Sequence, residues 1–485
     1  MTDNLVRKTG RGAIWNIVAQ FFQQFIKFFV ILILARLLSP EDFGLFSMVL
    51  VFTEIIAPLR EWGFQATLIY KKDIDEEYKS TAFWCICFIA MVLYLFSLVT
   101  APFIGRFFNN PLVAKIIPIV SIGILFTPLA SMQVAILTRD LNIRPIAIRN
   151  IFAEIMFGIT ACVLAFKGFG VWSFVVGTIV RELTWALTIW VLYKWRPLFV
   201  FNIKKFKEMF SYAVNCTGVL IVGNIINNID NLLVGKFLGA IKLGFYNLAF
   251  NTVSHPQTKI ASQISNVTFP AFSLIQEDNE RMQKAYQNTT KIIMAVVIPF
   301  LAIIFVSAKE FVTVFYGDKW LPAVLPIQIM CFYGFIQAAL SPVFSIFLSK
   351  GKSDLYLKIA FLRLILLFVI LLFGVRFGIN GVAASILLYS LLIAFPIFYY
   401  ANKLLNAKLL NFLLMFLRYS LIYFMLIGII WLASHALIQQ CRQIMALYLL
   451  LFNIALGSIA YFILMLFSAR EDLFTIFGII KKVFR

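Results

Sequence analysis

The chain has 485 residues, 62% of them hydrophobic and only 13% charged, with a formal net charge of +20. Soluble domains carry about 25% charged residues, and no polar stretch here is long enough to build one, so the composition excludes a soluble enzyme and specifies one integral membrane domain. The basic excess does not call for nucleic acid, because Lys and Arg alternate between the loops that join apolar segments, as in the cytoplasmic loops of membrane proteins.

Apolar runs of about 18 residues or more recur from end to end, each long enough to cross a bilayer as a helix. Arg7, Lys8 and Arg11 precede span 1 (13–35). That order loosely resembles a signal peptide. The run contains Asn16, Gln20, Gln23, Gln24 and Lys27, however, and no small-residue cleavage site follows, so it reads as a retained first helix. Span 2 (43–70) carries Glu54, Arg60, Glu61 and Gln65. Spans 3 (82–104) and 4 (112–137) precede span 5 (146–166) with Glu154 and span 6 (171–193) with Arg181 and Glu182. Span 7 (209–238) bears Asn224, Asn227, Asn228 and Asn231 on one stripe, with Asp230 beside it. Span 8 (243–269) bears Asn247, Asn251, His255, Lys259, Ser262 and Asn266 at steps of three or four. His255 precedes Pro256, which removes a backbone donor and is expected to kink that helix. Spans 9 to 14 cover 292–315, 322–348, 355–373, 379–400, 412–433 and 444–467. Arg363, in span 11, reads as snorkelling to the inner surface.

The chain repeats itself at an offset of about 200 residues. Leu34-Ala35-Arg36-Leu37-Leu38 is echoed by Val234-Gly235-Lys236-Phe237-Leu238, and Gly44-Leu45-Phe46 by Gly244-Phe245-Tyr246. Phe169-Gly170-Val171 and Phe377-Gly378-Ile379 extend the match. Spans 1–6 and 7–12 are therefore two copies. An even number of spans per copy makes the copies parallel, related by an axis along the membrane normal. The predicted fold is all-α integral membrane, with 14 transmembrane helices in two parallel six-helix lobes around a central cavity plus spans 13 and 14. The expected domains are 1–200, 201–408 and 409–485. The N-terminus, the loops after even-numbered spans and the C-terminus hold most of the 42 Lys and Arg. The positive-inside rule then places both termini in the cytoplasm.

Polar side chains inside spans are costly and face a cavity or the bundle interior. Four polar stripes on repeat-related spans 1, 2, 7 and 8 predict a water-filled cleft; the competing reading of Asn and Gln is helix–helix hydrogen bonding. Gln20, Gln24, Asn224, Asn228, Asn251 and His255 are the expected lining. Lys27, Arg60, Arg181 and Lys259 are intramembrane cations, and the repeat makes Arg60 and Lys259 near-equivalents. Arg60 has a plainer reading as the ion-pair partner of a nearby acid, and Arg181 as that of Glu182 or Glu154. Asp230, Glu61 and Glu154 are the candidate ion-coupling acids. The six Cys are scattered through apolar segments without zinc spacing or a disulfide framework. No phosphate loop, metal cluster or nucleophile triad is present, so no catalytic residue, metal or cofactor is expected.

Ala35 through Gly44 (ARLLSPEDFG), Gly63 through Asp73 (GFQATLIYKKD), Asp230 through Gly239 (DNLLVGKFLG), Phe269 through Ser273 followed by Gln276-Glu277-Asp278, and Tyr316 through Trp320 (YGDKW) form an ordered set. The set closely resembles polysaccharide exporters of the Wzx type, within the multidrug/oligosaccharidyl-lipid/polysaccharide exporter superfamily, and is most similar to the colanic-acid and teichuronic-acid branch. The resemblance implies two six-helix lobes in a V. It also implies a flippase that moves an undecaprenyl-diphosphate-linked oligosaccharide from the cytoplasmic to the outer leaflet of a bacterial inner membrane, for surface polysaccharide synthesis. By the same resemblance Lys27, Arg60 and Lys259 serve the diphosphate; Lys in place of the more usual Arg at two of them weakens bidentate binding. Membrane lipids and a polysaccharide polymerase or chain-length machinery are the partners it implies. Export would draw on membrane potential or an H+ or Na+ gradient. The alternative on the same superfold is a cation-coupled multidrug antiporter, which needs a buried acid that span 1 lacks. A twelve-helix sugar porter is disfavoured, because residues 71–80 lack its usual loop motif.

Overall fold

The computed structural model describes residues 2–61, 63–71, 74–440, 445–470 and 472. Within these, the side chains of 2–18, 61, 66, 69, 70, 211–216, 218–220, 255–267, 269–271, 353, 357 and 440 are not described. The chain forms two compact units, Met1–Gly244 and Phe245–Arg485.

The first unit opens with α1 (Thr2–Leu37) and α2 (Pro40–Glu61). Between them Ser39 and Asp42 form a capping box. The Asp42 N–H donates to Ser39 Oγ at 3.2 Å and the Ser39 N–H to Asp42 Oδ2 at 2.9 Å, with Pro40 at the first helical position. Span 2 is not one helix as predicted. Gly63, at φ 66°, turns the chain into a separate α3 (Phe64–Tyr70); only glycine takes that conformation without steric cost. Arg139 donates to the Leu68 and Lys71 carbonyls at 2.9 and 2.6 Å, satisfying the open end of α3.

Next come α4 (Glu76–Phe107), α5 (Pro111–Ser121) and α6 (Thr127–Arg139). Span 4 is thus also divided, by a 3₁₀ turn over Ile122–Phe126. Then follow α7 (Arg144–Phe166) and α8 (Trp172–Leu192). Small residues bring these helices close, as membrane packing requires. A Cβ at Gly177 of α8 would lie 3.1 Å from Phe157 and 3.2 Å from Ala161 of α7. One at Gly158 of α7 would lie 2.5 Å from Val30 of α1. Phe64, Leu68, Tyr78, Phe83, Ile86, Met132 and Met209 form a buried cluster at the end of the unit where α3 and α6 meet the start of α4.

The linker before α9 (Ile203–Leu274) is clasped to the start of α4. Trp84 Nε1 donates to the Leu198 carbonyl at 2.9 Å, the Leu198 N–H to Ser80 Oγ at 3.0 Å, and the Asn202 N–H to Thr81 Oγ1 at 3.1 Å. Lys205 reaches both Asp75 and Glu77. Spans 7 and 8 are two helices within α9, divided at a non-helical Gly239 (φ 83°, ψ 177°), and the second runs on through Pro256.

The second unit continues with α10 (Asn279–Val306), α11 (Ala308–Phe311), α12 (Val324–Leu340), α13 (Val343–Ser349), α14 (Ser353–Gly374), α15 (Gly378–Leu404), α16 (Leu409–Gln440) and α17 (Ala446–Ser468). Trp320 is fully buried edge-on to Phe245, and Tyr286 stacks on Phe412 at an interplanar angle of 4°. Asn453 of α17 links Ser307 (2.9 Å) to Ser434 (2.5 Å). Arg363 donates to the Tyr389 hydroxyl at 2.8 Å, so this cation is tied to α15.

Among the described residues, twelve helical stretches are long and apolar enough to span a membrane. Two of them, Ile221–Ser254 and Asp354–Leu404, each contain a break, at Gly239 and between α14 and α15. Counting both sides of each break gives the fourteen segments read from the sequence.

Candidate functional site

A cavity of about 360 Å³ lies inside the first unit, walled by α2, α3, α6, α7 and α8. Its polar lining is Arg60, Gln65, Thr127, Ser131, Arg149, Glu182 and Trp185. The breaks in spans 2 and 4 position this lining. Arg60 sits in the last turn of α2, where the helix dipole favours a cation. Gln65 follows Gly63 at the start of α3. Phe126 and Thr127 mark the return from 3₁₀ to α-helix. Gly123 in that turn leaves room for Glu182, whose side chain would be 3.1 Å from a Cβ there.

Trp185 is the centre of the cationic wall. The Arg149 and Arg181 guanidiniums each lie 5.3 Å from its ring centroid, within cation–π range. Arg181 also faces the Phe157 ring at 5.5 Å and pairs with Glu182 at 3.5 Å. Arg149 donates to the Asn150 amide oxygen at 2.9 and 3.1 Å. Among the described residues, the lining holds two cations, Arg60 and Arg149, and one acid, Glu182, which also pairs with Arg181. Trp185 Nε1, Arg60 Nε and Arg181 Nε are buried without a hydrogen-bond partner among the described residues. Buried donors left unpaired cost about 1–3 kcal/mol each, and an anionic or hydroxyl-rich guest is what such a wall accommodates.

The other expected residues fall elsewhere. Lys27 of α1 pairs with Glu154 of α7 at 3.2 Å; the Glu154 side chain is 4% exposed and that of Lys27 42%. Gln20 and Gln24 are half-buried on α1. Asn224 donates to the Glu54 carbonyl of α2 at 2.8 Å, and Asn228 to the Asn224 carbonyl at 3.0 Å. Asp230 is buried at 3% exposure. In the second unit, Asn251 donates to the Asn247 side chain at 2.6 Å. Glu61, His255 and Lys259 have side chains outside the described residues. The helix stripes missed Arg149 and Trp185: Arg149 sits in the first turn of span 5, close after Arg144, where a cation at a membrane-helix end carries no signal of its own, and a lone Trp carries no spacing signal. Among the described residues no group of His, Cys, Asp and Glu could hold a metal ion.

A family model described as "Polysaccharide biosynthesis protein" matches residues 33–325. The chain is 29% identical over 308 residues to teichuronic acid biosynthesis protein TuaB of Bacillus subtilis (63% of each chain). It is 24% identical over 395 residues to lipopolysaccharide biosynthesis protein WzxC of Escherichia coli (80% of each), and 25% identical over 321 residues to succinoglycan biosynthesis transport protein ExoT of Rhizobium meliloti (66% of this chain, 65% of the relative). The chain thus spans under two thirds of the length of two of these relatives. Among solved structures, the inward closed conformation of lipid II flippase MurJ aligns with a TM-score of 0.78 at 15% identity, over 95% of this chain and 99% of that one. An inward-facing multidrug resistance MATE transporter aligns at 0.64, also at 15% identity, over 81% and 98%. These two likenesses show the fold: an all-α architecture of many membrane-length helices.

Proposed function

From the premise that this chain belongs to the polysaccharide biosynthesis protein family, we propose that it is a flippase for a lipid-linked oligosaccharide, carrying the head group across the bilayer for surface polysaccharide assembly. The observation that carries this reading is the cavity where Arg60, Arg149 and Trp185 meet within membrane-length helices.

The physical problem is to move a charged, sugar-bearing head through about 30 Å of hydrocarbon. One unpaired charge at the bilayer centre costs several kcal/mol, and each sugar hydroxyl without a partner adds to that. Arginines offset phosphate charge in a low-dielectric site and bind it through paired N–H donors. Gln65, Thr127 and Ser131 offer hydroxyls the partners that water gave them. The prenyl tail stays in lipid throughout, and no covalent step is needed. Rocking of the two repeats would expose the head first to one side and then to the other. Lys27 is a further cation of the first repeat proposed for the diphosphate, and Lys259 is the one that the second repeat offers.

An anion leaving a negative interior gains about 2.3 kcal/mol per charge per 100 mV, so membrane potential supplies the direction. Asp230 and Glu154 are the alternative coupling groups, and Glu154 already holds the Lys27 ammonium. The protein would lie in a bacterial inner membrane with both termini cytoplasmic, supplying a polysaccharide polymerase. The test is reconstitution into proteoliposomes with a defined prenyl-diphosphate oligosaccharide whose inner- and outer-leaflet pools are assayed. Protein-dependent exchange of leaflets supports the reading. Exchange no faster than in protein-free vesicles, with folded protein verified, would remove it.

A further inference from the structure

We propose that a groove between α10 and α16 in the second unit is a binding site for an anionic phospholipid of the surrounding bilayer, distinct from any site for the transported lipid. The groove encloses about 490 Å³, and its walls include Glu280, Lys284, Lys291, Leu414, Met415 and Arg418.

Its depth follows from the sequence of α10. The helix is polar from Asn279 to Lys291 and apolar from Ile292 onward. Lys291 therefore marks the level where hydrocarbon begins, and the groove sits at head-group height. Beside it, α16 presents a continuous apolar stripe of Leu410, Leu414, Leu417, Leu421 and Phe424, each 53–63% exposed. Steps of four and three place these on one face of the helix. A head group seated in the groove would lay its acyl chains along that stripe. A water-soluble phosphate compound would have no use for it.

The charges are organised for one negative group. Asp472 is buried and accepts from Lys291 at 2.7 Å and from the Tyr419 hydroxyl at 3.2 Å, with Arg418 at 3.7 Å. This carboxylate anchors the two cations and neutralises one of them. Glu280 offsets a second. Lys284 is exposed and makes no ion pair among the described residues. Among the described residues, three cations (Lys284, Lys291 and Arg418) against two acids (Glu280 and Asp472) leave one positive charge, which matches a phosphodiester. Basic pockets between membrane helices bind anionic head groups in this way.

The test uses the full-length protein in detergent and follows thermal unfolding. Phosphatidylglycerol, phosphatidylcholine, a polyprenyl phosphate and inorganic phosphate are added separately. Phosphatidylglycerol is expected to raise the midpoint at lower concentration than phosphatidylcholine, and inorganic phosphate is expected to do nothing. Lys284→Gln should raise the half-saturating phosphatidylglycerol concentration about fivefold, the worth of one basic residue near a membrane surface. It should leave the lipid-free midpoint and the phosphatidylcholine response unchanged. Equal responses to the two phospholipids, or an undiminished preference in Lys284→Gln, would overturn the proposal. So would a full effect of inorganic phosphate, which would mark a soluble ligand, or a preference for the polyprenyl phosphate, which would mark an entry site for cargo.

Discussion

Gly44 and Gly244, the paired glycines of the internal repeat, lie back to back. A Cβ on Gly44 would fall 1.7 Å from the carbonyl oxygen of Ala240, and one on Gly244 would fall 1.9 Å from that of Pro40. Each glycine therefore abuts the backbone four residues before the other, so the contact is reciprocal as well as close. Both partners are backbone, which cannot rotate away. Gly44→Ala and Gly244→Ala should each lower stability by about 1–3 kcal/mol, read as a drop in the unfolding midpoint in detergent. Gly223→Ala is the control: it is helical with open space around it, so alanine should be neutral or stabilise by up to about 1 kcal/mol. Matching midpoints for all three variants would contradict the close approach.

The Lys27–Glu154 pair separates a structural cation from a substrate-binding one. Lys27→Met leaves the Glu154 carboxylate buried and unpaired; the loss should be about 1–3 kcal/mol, below that of a fully buried pair because Lys27 is partly exposed. Adding Glu154→Met should restore most of that stability. If Lys27 also serves the diphosphate, the stable double variant still transports poorly. Recovery of transport together with stability would reduce Lys27 to a structural role.

Arg60→Ala and Lys259→Ala should abolish polysaccharide export from cells while leaving inserted, folded protein, and Arg60→Glu should be worse than alanine. Arg149→Ala should cost about tenfold or more in reconstituted transport, the order of one charge-assisted contact. Arg149→Lys should recover only part, because an ammonium lacks the planar donor fork. Trp185→Phe keeps the ring under both guanidiniums and should be milder than Trp185→Leu. Normal export by Arg60→Ala and Arg149→Ala would detach the cavity from the cargo.

Acid should open the linker clasp. Hydrogen bonding from the Lys205 ammonium, then from the Tyr78 amide, holds the Asp75 carboxyl below its ordinary 3.8. A lowered acid contributes stability above its unfolded value and loses it as pH falls through the folded one. The same pairing raises Lys205, whose contribution is complete below its ordinary 10.5 and fades above it. Amide exchange at Leu198 and Asn202, corrected for intrinsic rates, should show level protection from about pH 5 to 8 and a fall below about pH 4. Lys205→Met should be less protected throughout. Wild-type protection that persists to pH 2 would count against the clasp.

Collapsing the membrane potential at constant pH and sodium should slow leaflet exchange in the export direction. An unchanged rate, combined with sensitivity to Asp230→Asn, would shift the coupling to a proton or sodium gradient.

The linear order of apolar runs was enough to specify a polytopic α-helical membrane protein. The 200-residue echo likewise marked Gly44 and Gly244 as equivalent positions, and an ordered set of short motifs pointed to the exporter family. These signals survive in one dimension because bilayer thickness and repeat duplication act on contiguous segments. Tertiary packing decided what the cations do. Helical periodicity tells which face a side chain occupies, not which helix it meets, so Glu154 as the partner of Lys27, and Arg149 with Trp185 as companions of Arg60, could not be read from spacing. The breaks at Gly63 and Ile122–Phe126 were equally hidden. Ile122–Phe126 lies inside a mostly apolar run, and Gly63 sits among Arg60, Glu61 and Gln65, which read as a polar stripe of one helix as readily as a helix end; the lining around Arg60 depends on both breaks because only an interrupted helix wall leaves room for a polar chamber.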